Sequence, residues 1–245
     1  MNDAKKEIIS QLRKDILLWE GFKPGLAGKK DMIGLGPVEA AFPNGVFPKG
    51  VIHEFINTVP EQAAACGGFL GGLLGSLMRD GGICVWISVS RRLFPGSLPA
   101  FGVEPDRIIF FDLSNEKEVL WVMEEALKCE GLAAVVGELN EISFTQSRRL
   151  QLAVEQSRVT GFILRGDERK RNTTACAARW KIAPIPSETE DEMPGIGFPR
   201  WKVELLKVRN GDPGTYEVEW AGDRFAPLTK EKTAIDLSPY RRQVG

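Results

Sequence analysis

Between Phe55 and Gly75 the chain reads FINTVPEQAAACGGFLGGLLG, after an apolar run and into a helix-like segment. That is the place of a phosphate-binding loop. Hydrolysis there needs G-x-x-x-x-G-K-[ST]: glycines let backbone amides cradle phosphates, lysine neutralises them, and the hydroxyl holds magnesium. Gly67 and Gly72 have the glycine spacing, but Leu73 and Leu74 follow them. No lysine occurs between Lys49 and Lys117. The turn NTVPEQAAAC is the better-placed candidate, with Pro60 at a first helical position. Glu61 then falls in the first turn, where a carboxylate opposes the anion a helix N-terminus would otherwise bind. Placed there, the loop lacks both glycines, the lysine and the hydroxyl, so loss of triphosphate hydrolysis is expected.

Other chemistry finds little support. The one histidine, His53, lies inside the first apolar run and reads as a sheet-packing residue, since a general base must reach a cleft. Cys66, Cys84, Cys129 and Cys176 are far apart and lack CxxC spacing, against a zinc site or a disulfide framework. Three of them lie in apolar or small-residue runs and read as buried thiols, which suits a reducing cytoplasm. No catalytic residue and no metal ligand is assigned.

The elements that would position such a site are legible. Five apolar runs, 51–56, 83–89, 107–113, 132–139 and 159–165, are nearly continuous rather than alternating. Such runs suit parallel strands covered on both faces. Each of the first four is followed by a helix-like segment. Asn115 with Glu118, and Ser143 with Gln146, read as capping boxes, and Gly131 as a helix stop. The fold class is therefore α/β, a mostly parallel central sheet with helices on both faces. Around the turn NGDPG, Trp201, Val203 and Leu205 and then Tyr216, Val218 and Trp220 alternate as an antiparallel hairpin that extends the same sheet.

Bulk properties set the limits. The 245 residues, 43% hydrophobic and 27% charged, suit a globular protein with a real core. A net charge of −1 predicts neither nucleic-acid nor membrane binding from global electrostatics. The uncharged stretch from Gln62 to Met78 is too short and too rich in Ala and Gly to span a bilayer. Its small-xxx-small glycines instead let a helix approach a neighbour closely. No signal-peptide core is seen at the N-terminus, so the cytoplasm is the expected location. There Ile8, Leu12 and Leu18, with Ile9 and Ile16, fall on one helical face, which packs on its own domain or docks on a neighbour.

The order of elements resembles a RecA-type ATPase core, and the detail is similar to one branch of it, the ImuA proteins. The residues that carry the likeness are FPNGVFPKGVIHEF (42–55), CVWIS (84–88), FGVEPDRIIFF (101–111), ARWKIAPIPS (178–187) and FPRWKVELLKVRNGDPGTYEVEW (198–220). The resemblance implies an N-terminal helix and linker over 1–33, a RecA-like domain over 34–225 and a flexible tail over 226–245. It places Ala63 and Ala64 where RecA has its lysine and hydroxyl, so Asn57, Gln62, Ala63 and Ala64 are positions of a degenerate nucleotide loop. The residues Ser88 to Ser90 stand near the site of the water-activating acid, and Glu138 is the candidate residual magnesium-side acid. The second DNA loop corresponds to 165–175, so Arg165, Arg169, Lys170 and Arg171 are candidates for weak DNA contact or for a protein partner.

The function so implied is a non-enzymatic adaptor of damage-induced translesion synthesis, with no cofactor. Its implied partners are an ImuB-type, Y-family-like polymerase homologue and RecA. DNA contact is weak or indirect, no membrane is involved, and a homo-oligomer is compatible. Two rivals stand beside it: an ATP-dependent recombinase relative using a displaced cation (Arg79, Arg91 or Arg92), and a cell-division inhibitor of the SulA type.

Overall fold

The computed structural model describes Leu12 and residues 33–90, 93–166, 172–187 and 197–228. A single nine-stranded sheet runs through it in the order β3-β2-β4-β5-β1-β6-β7-β8-β9. The five apolar runs form β1 (Ile52–Ile56), β2 (Ile83–Ser88), β3 (Ile108–Asp112), β4 (Leu132–Leu139) and β5 (Thr160–Arg165). All five are parallel, and β6 (Ala178–Ile185) joins them parallel to β1, with His53 opposite Ala178. On its other edge β6 pairs antiparallel with β7 (Arg200–Val208), and β8 (Gly214–Trp220) and β9 (Phe225–Pro227) follow antiparallel. The expected hairpin is β7–β8. The strand joining it to the parallel half, β6, and the last strand, β9, were not anticipated, and β9 runs two residues past the expected domain end at 225.

Helix α1 (Pro60–Leu77) covers one face, and α2 (Glu116–Leu127) and α3 (Phe144–Ser157) cover the other. Alternation within each strand divides the core accordingly. Phe55, Trp86, Val136 and Phe162 point to α1, while Ile52, Ile87, Val135 and Ile163 point to α2 and α3. Beyond β1 the α1 side continues as an aromatic layer of Trp180, Trp201, Trp220 and Phe225. Phe69 of α1 packs tilted against Phe225, ring centroids 4.8 Å apart.

The glycines of α1 make this close packing possible. A β-carbon at Gly72 would stand 2.7 Å from Phe225 Cζ, and one at Gly75 would stand 2.1 Å from the Phe101 carbonyl oxygen. They are contact points of a tightly packed core. Among the described residues no helix is long and apolar enough to cross a membrane.

Three local expectations need correction. After β2 there is no α-helix: Pro95–Phe101 and Pro105–Arg107 are 3₁₀ turns, because Pro99 lies inside the first and Gly102 ends it at φ +73°. Helix α2 stops at Leu127, four residues before Gly131, whose φ of +96° makes the turn into β4. Ser143 and Gln146 form the full capping box. At α2, Asn115 Oδ1 accepts from the amides of Lys117 and Glu118, but Glu118 reaches back to the amide of Ser114 instead of Asn115.

Candidate functional site

The site is the C-terminal end of the parallel strands, where open α/β sheets bind their ligands. Only Asn57, Thr58 and Val59 separate β1 from α1. A phosphate loop has four residues between its glycines alone, so this link is too short to wrap a phosphate. Its polar groups are also engaged. Asn57 N donates to Arg165 O at 2.8 Å, prolonging the β1–β5 ladder. Thr58 donates twice to Gln62 Oε1, from its amide at 3.0 Å and its hydroxyl at 2.8 Å. The amides of Gln62 and Ala63 both donate to Val59 O at 3.1 Å. Proline at position 60 has no amide hydrogen, and Glu61 stands in the first turn.

Above this link lies a cavity of about 880 Å³. Trp86, Leu139 and Leu164 supply apolar wall from three strands, and Ala63, Ala64 and Gly67 supply the α1 side. The Trp86 indole donates to Glu138 Oε1 at 2.8 Å across β2 and β4. Opposite, at the start of α2, Glu116 Oε1 accepts from the amide and the side chain of Asn140. The Asn57 side chain hydrogen-bonds Cys66, whose thiol burial pushes up to about 12. Asn57 Oδ1 is buried and has no hydrogen-bond partner.

Asn57, Ala63, Ala64 and Glu138 therefore meet at one cavity, whereas Gln62 is not on its wall and is folded back on Thr58. Ser90 is on the wall, whereas Ser88 is buried in the sheet. Arg165 needs correction. As the last residue of β5 it points into the α2–α3 side of the core, 1% exposed, and pairs with Glu54 of β1. Glu54 is fully buried and also accepts from Thr174 Oγ1 at 2.9 Å and Arg179 Nε at 2.8 Å. Arg165 is thus consumed by a buried ion network and is not presented to DNA or to a partner. Arg169, Lys170 and Arg171 lie outside the described residues, as do Arg91 and Arg92 and most of the N-terminal stripe, of which Leu12 alone is described. Arg79 follows the far end of the 18-residue α1, about 27 Å from the loop at 1.5 Å per residue.

His53 is a core residue, as expected. It is fully buried, its Nε2 lies 2.9 Å from Pro48 O, and its Nδ1 accepts from Trp180 Nε1 at 3.3 Å. Its ring stacks on Phe47, and burial lowers its pKa to about 4. Cys66, Cys84 and Cys176 are buried and Cys129 is exposed. Sequence reasoning missed Glu116 and Asn140 as site residues. Their only signal was position, just inside α2 and just past β4.

Comparison with known proteins bears on the fold and the family. No family model matches the chain. Protein ImuA from two strains of Caulobacter vibrioides, NA1000 / CB15N and ATCC 19089, is 35% identical over 189 residues, covering 72% of this chain and 78% of the relative. The cell division inhibitor SulA of Photorhabdus laumondii is 27% identical over 103 residues, 42% of this chain and 58% of that protein. Among solved structures, the RadB recombinase superposes with a TM-score of 0.52 at 15% identity, covering 76% of this chain and 94% of that one. The fold is RecA-like, and the chain belongs to the ImuA family.

Proposed function

We propose that the chain is a non-catalytic, cytoplasmic RecA-like adaptor of DNA-damage-induced translesion synthesis, which recruits or regulates an ImuB-type polymerase homologue. The observation that carries the loss of catalysis is the three-residue link between β1 and α1, with Ala63 and Ala64 where a lysine and a hydroxyl would act. Phosphoryl transfer rests almost wholly on those groups and the magnesium they help hold. Glu138 alone cannot replace them, and its Oε1 already accepts from the Trp86 indole. Membership of the ImuA family supports the damage-response setting, and the polymerase partner is what the resemblance of the sequence to that family implies.

The test is co-purification of the full chain with the polymerase homologue, together with damage-induced mutation frequency in a deletion strain. A chain that does not co-purify with a polymerase homologue, and whose deletion leaves damage-induced mutation frequency unchanged, would remove the adaptor reading. Magnesium-dependent ATP turnover stimulated by single-stranded DNA would replace it with the recombinase-like enzyme. The shorter match to SulA favours a second reading. Capture of a division protein with no polymerase would select it.

A further inference from the structure

The groups that the cavity offers are mostly acceptors. Asn57 is nine-tenths buried and its Oδ1 has no hydrogen-bond partner, a state that favours the arrival of a donor. The carboxylates of Glu116 and Glu138 stand in the same wall, while the described wall's one cation, Arg165, is paired with Glu54. Phosphate or another anion is disfavoured in such a place. The volume, about 880 Å³, is within the range of about 300–1,000 Å³ for built ligand sites.

The mouth is apolar. Val59 is 44% exposed, Val89 41% and Phe94 74%, and all three border the cavity. Exposed apolar side chains around a recess mark a protein contact, with an anchor side chain in the recess and a rim that excludes water.

We propose that the cavity is a socket for an arginine of a partner polypeptide, with apolar residues flanking that arginine seated on Val59, Val89 and Phe94. Guanidinium matches the wall because it has five donors and no acceptor. Its plane also suits the aromatic surface of Trp86 and Phe94 better than a lysine ammonium does. This inference rests on the reading that the chain works by binding a partner protein, and it specifies the chemistry of that contact.

The experiment uses the full chain and phage-displayed random peptides, with Ala64→Trp, which fills the recess from an exposed helix position, as the counter-selection. Selected peptides should carry arginine beside leucine, isoleucine or an aromatic. Ala64→Trp, Glu116→Lys and replacement of the peptide's arginine by alanine should each weaken binding by about tenfold or more, the loss of an interface anchor. Phe94→Ser, a change at an exposed side chain that leaves the core untouched, should weaken it too. Acidic or arginine-free peptides, no cavity-dependent peptide, or displacement by millimolar magnesium–ATP overturns the proposal. So does a wild type that binds such peptides only after Arg91 and Arg92 are changed to alanine, because the chain would then fill its own socket. A polymerase homologue that binds wild type and Ala64→Trp equally sinks the socket and leaves the adaptor standing. Arginine peptides blocked by Ala64→Trp, with no polymerase bound, do the reverse.

Discussion

Gly67→Ala and Gly75→Ala make the same covalent change eight residues apart on α1, and they should move stability in opposite directions. Replacing glycine by alanine inside a helix contributes about 1 kcal/mol through backbone entropy. At Gly67 the nearest atom to a new β-carbon is Leu93 Cδ1 at 3.8 Å, ordinary van der Waals contact. The full gain should therefore appear, about 0.5–1 kcal/mol. At Gly75 the new carbon would lie 2.1 Å from the carbonyl oxygen of Phe101, a backbone atom. That carbonyl cannot swing aside, because the next residue, Gly102, is held in a left-handed turn with its amide bonded to Pro99 O. Overpacking of this kind costs about 1–3 kcal/mol, so after the helix gain the net change is a loss of up to about 2 kcal/mol. Urea unfolding followed by tryptophan fluorescence reads it directly, since Trp86, Trp180, Trp201 and Trp220 are buried. Melting temperature should rise by a few degrees for Gly67→Ala and fall by up to about 8 °C for Gly75→Ala. Equal stabilisation by both would refute the claim that these glycines exist for close packing against Phe101.

His53 titrates near 4 when folded and near 6.5 when unfolded, so the unfolded chain binds more protons between those values and stability falls as pH drops through them. Against His53→Gln, the wild type should lose up to about 3 kcal/mol more between pH 6.5 and 4, measured by urea melts across that range. Arg165→Met leaves the Glu54 carboxylate buried beside Arg179 alone and should cost about 3–5 kcal/mol of unfolding free energy. A neutral effect on stability with a loss of DNA affinity would return Arg165 to the surface role expected from sequence. Ser143→Ala removes the hydroxyl that caps α3 and should cost about 1 kcal/mol in the same assay, with Ser143→Thr largely restoring it.

What the sequence determined by itself was whatever local chemistry dictates. Continuous apolar runs gave β1 to β5 within a residue or two, the Ser143–Gln146 pair gave the start of α3, and the missing lysine argued against a hydrolytic phosphate loop. Even the buried state of His53 followed from its place in an apolar run. What only the tertiary structure decided depends on which distant segments meet. Ladder pairing across 127 residues puts Trp180 beside His53 and makes β6 parallel to β1. The one-residue alternation of a strand turns Arg165 inward to Glu54, 111 positions away, although a charge at a strand end reads as solvated from sequence. Glu116 and Asn140 face the cavity because α2 begins over the end of β4, a crossover geometry no local pattern encodes. The helix glycines needed both levels. Their spacing announced a close approach, and only the assembled fold named Phe101, Trp220 and Phe225 as the surfaces approached.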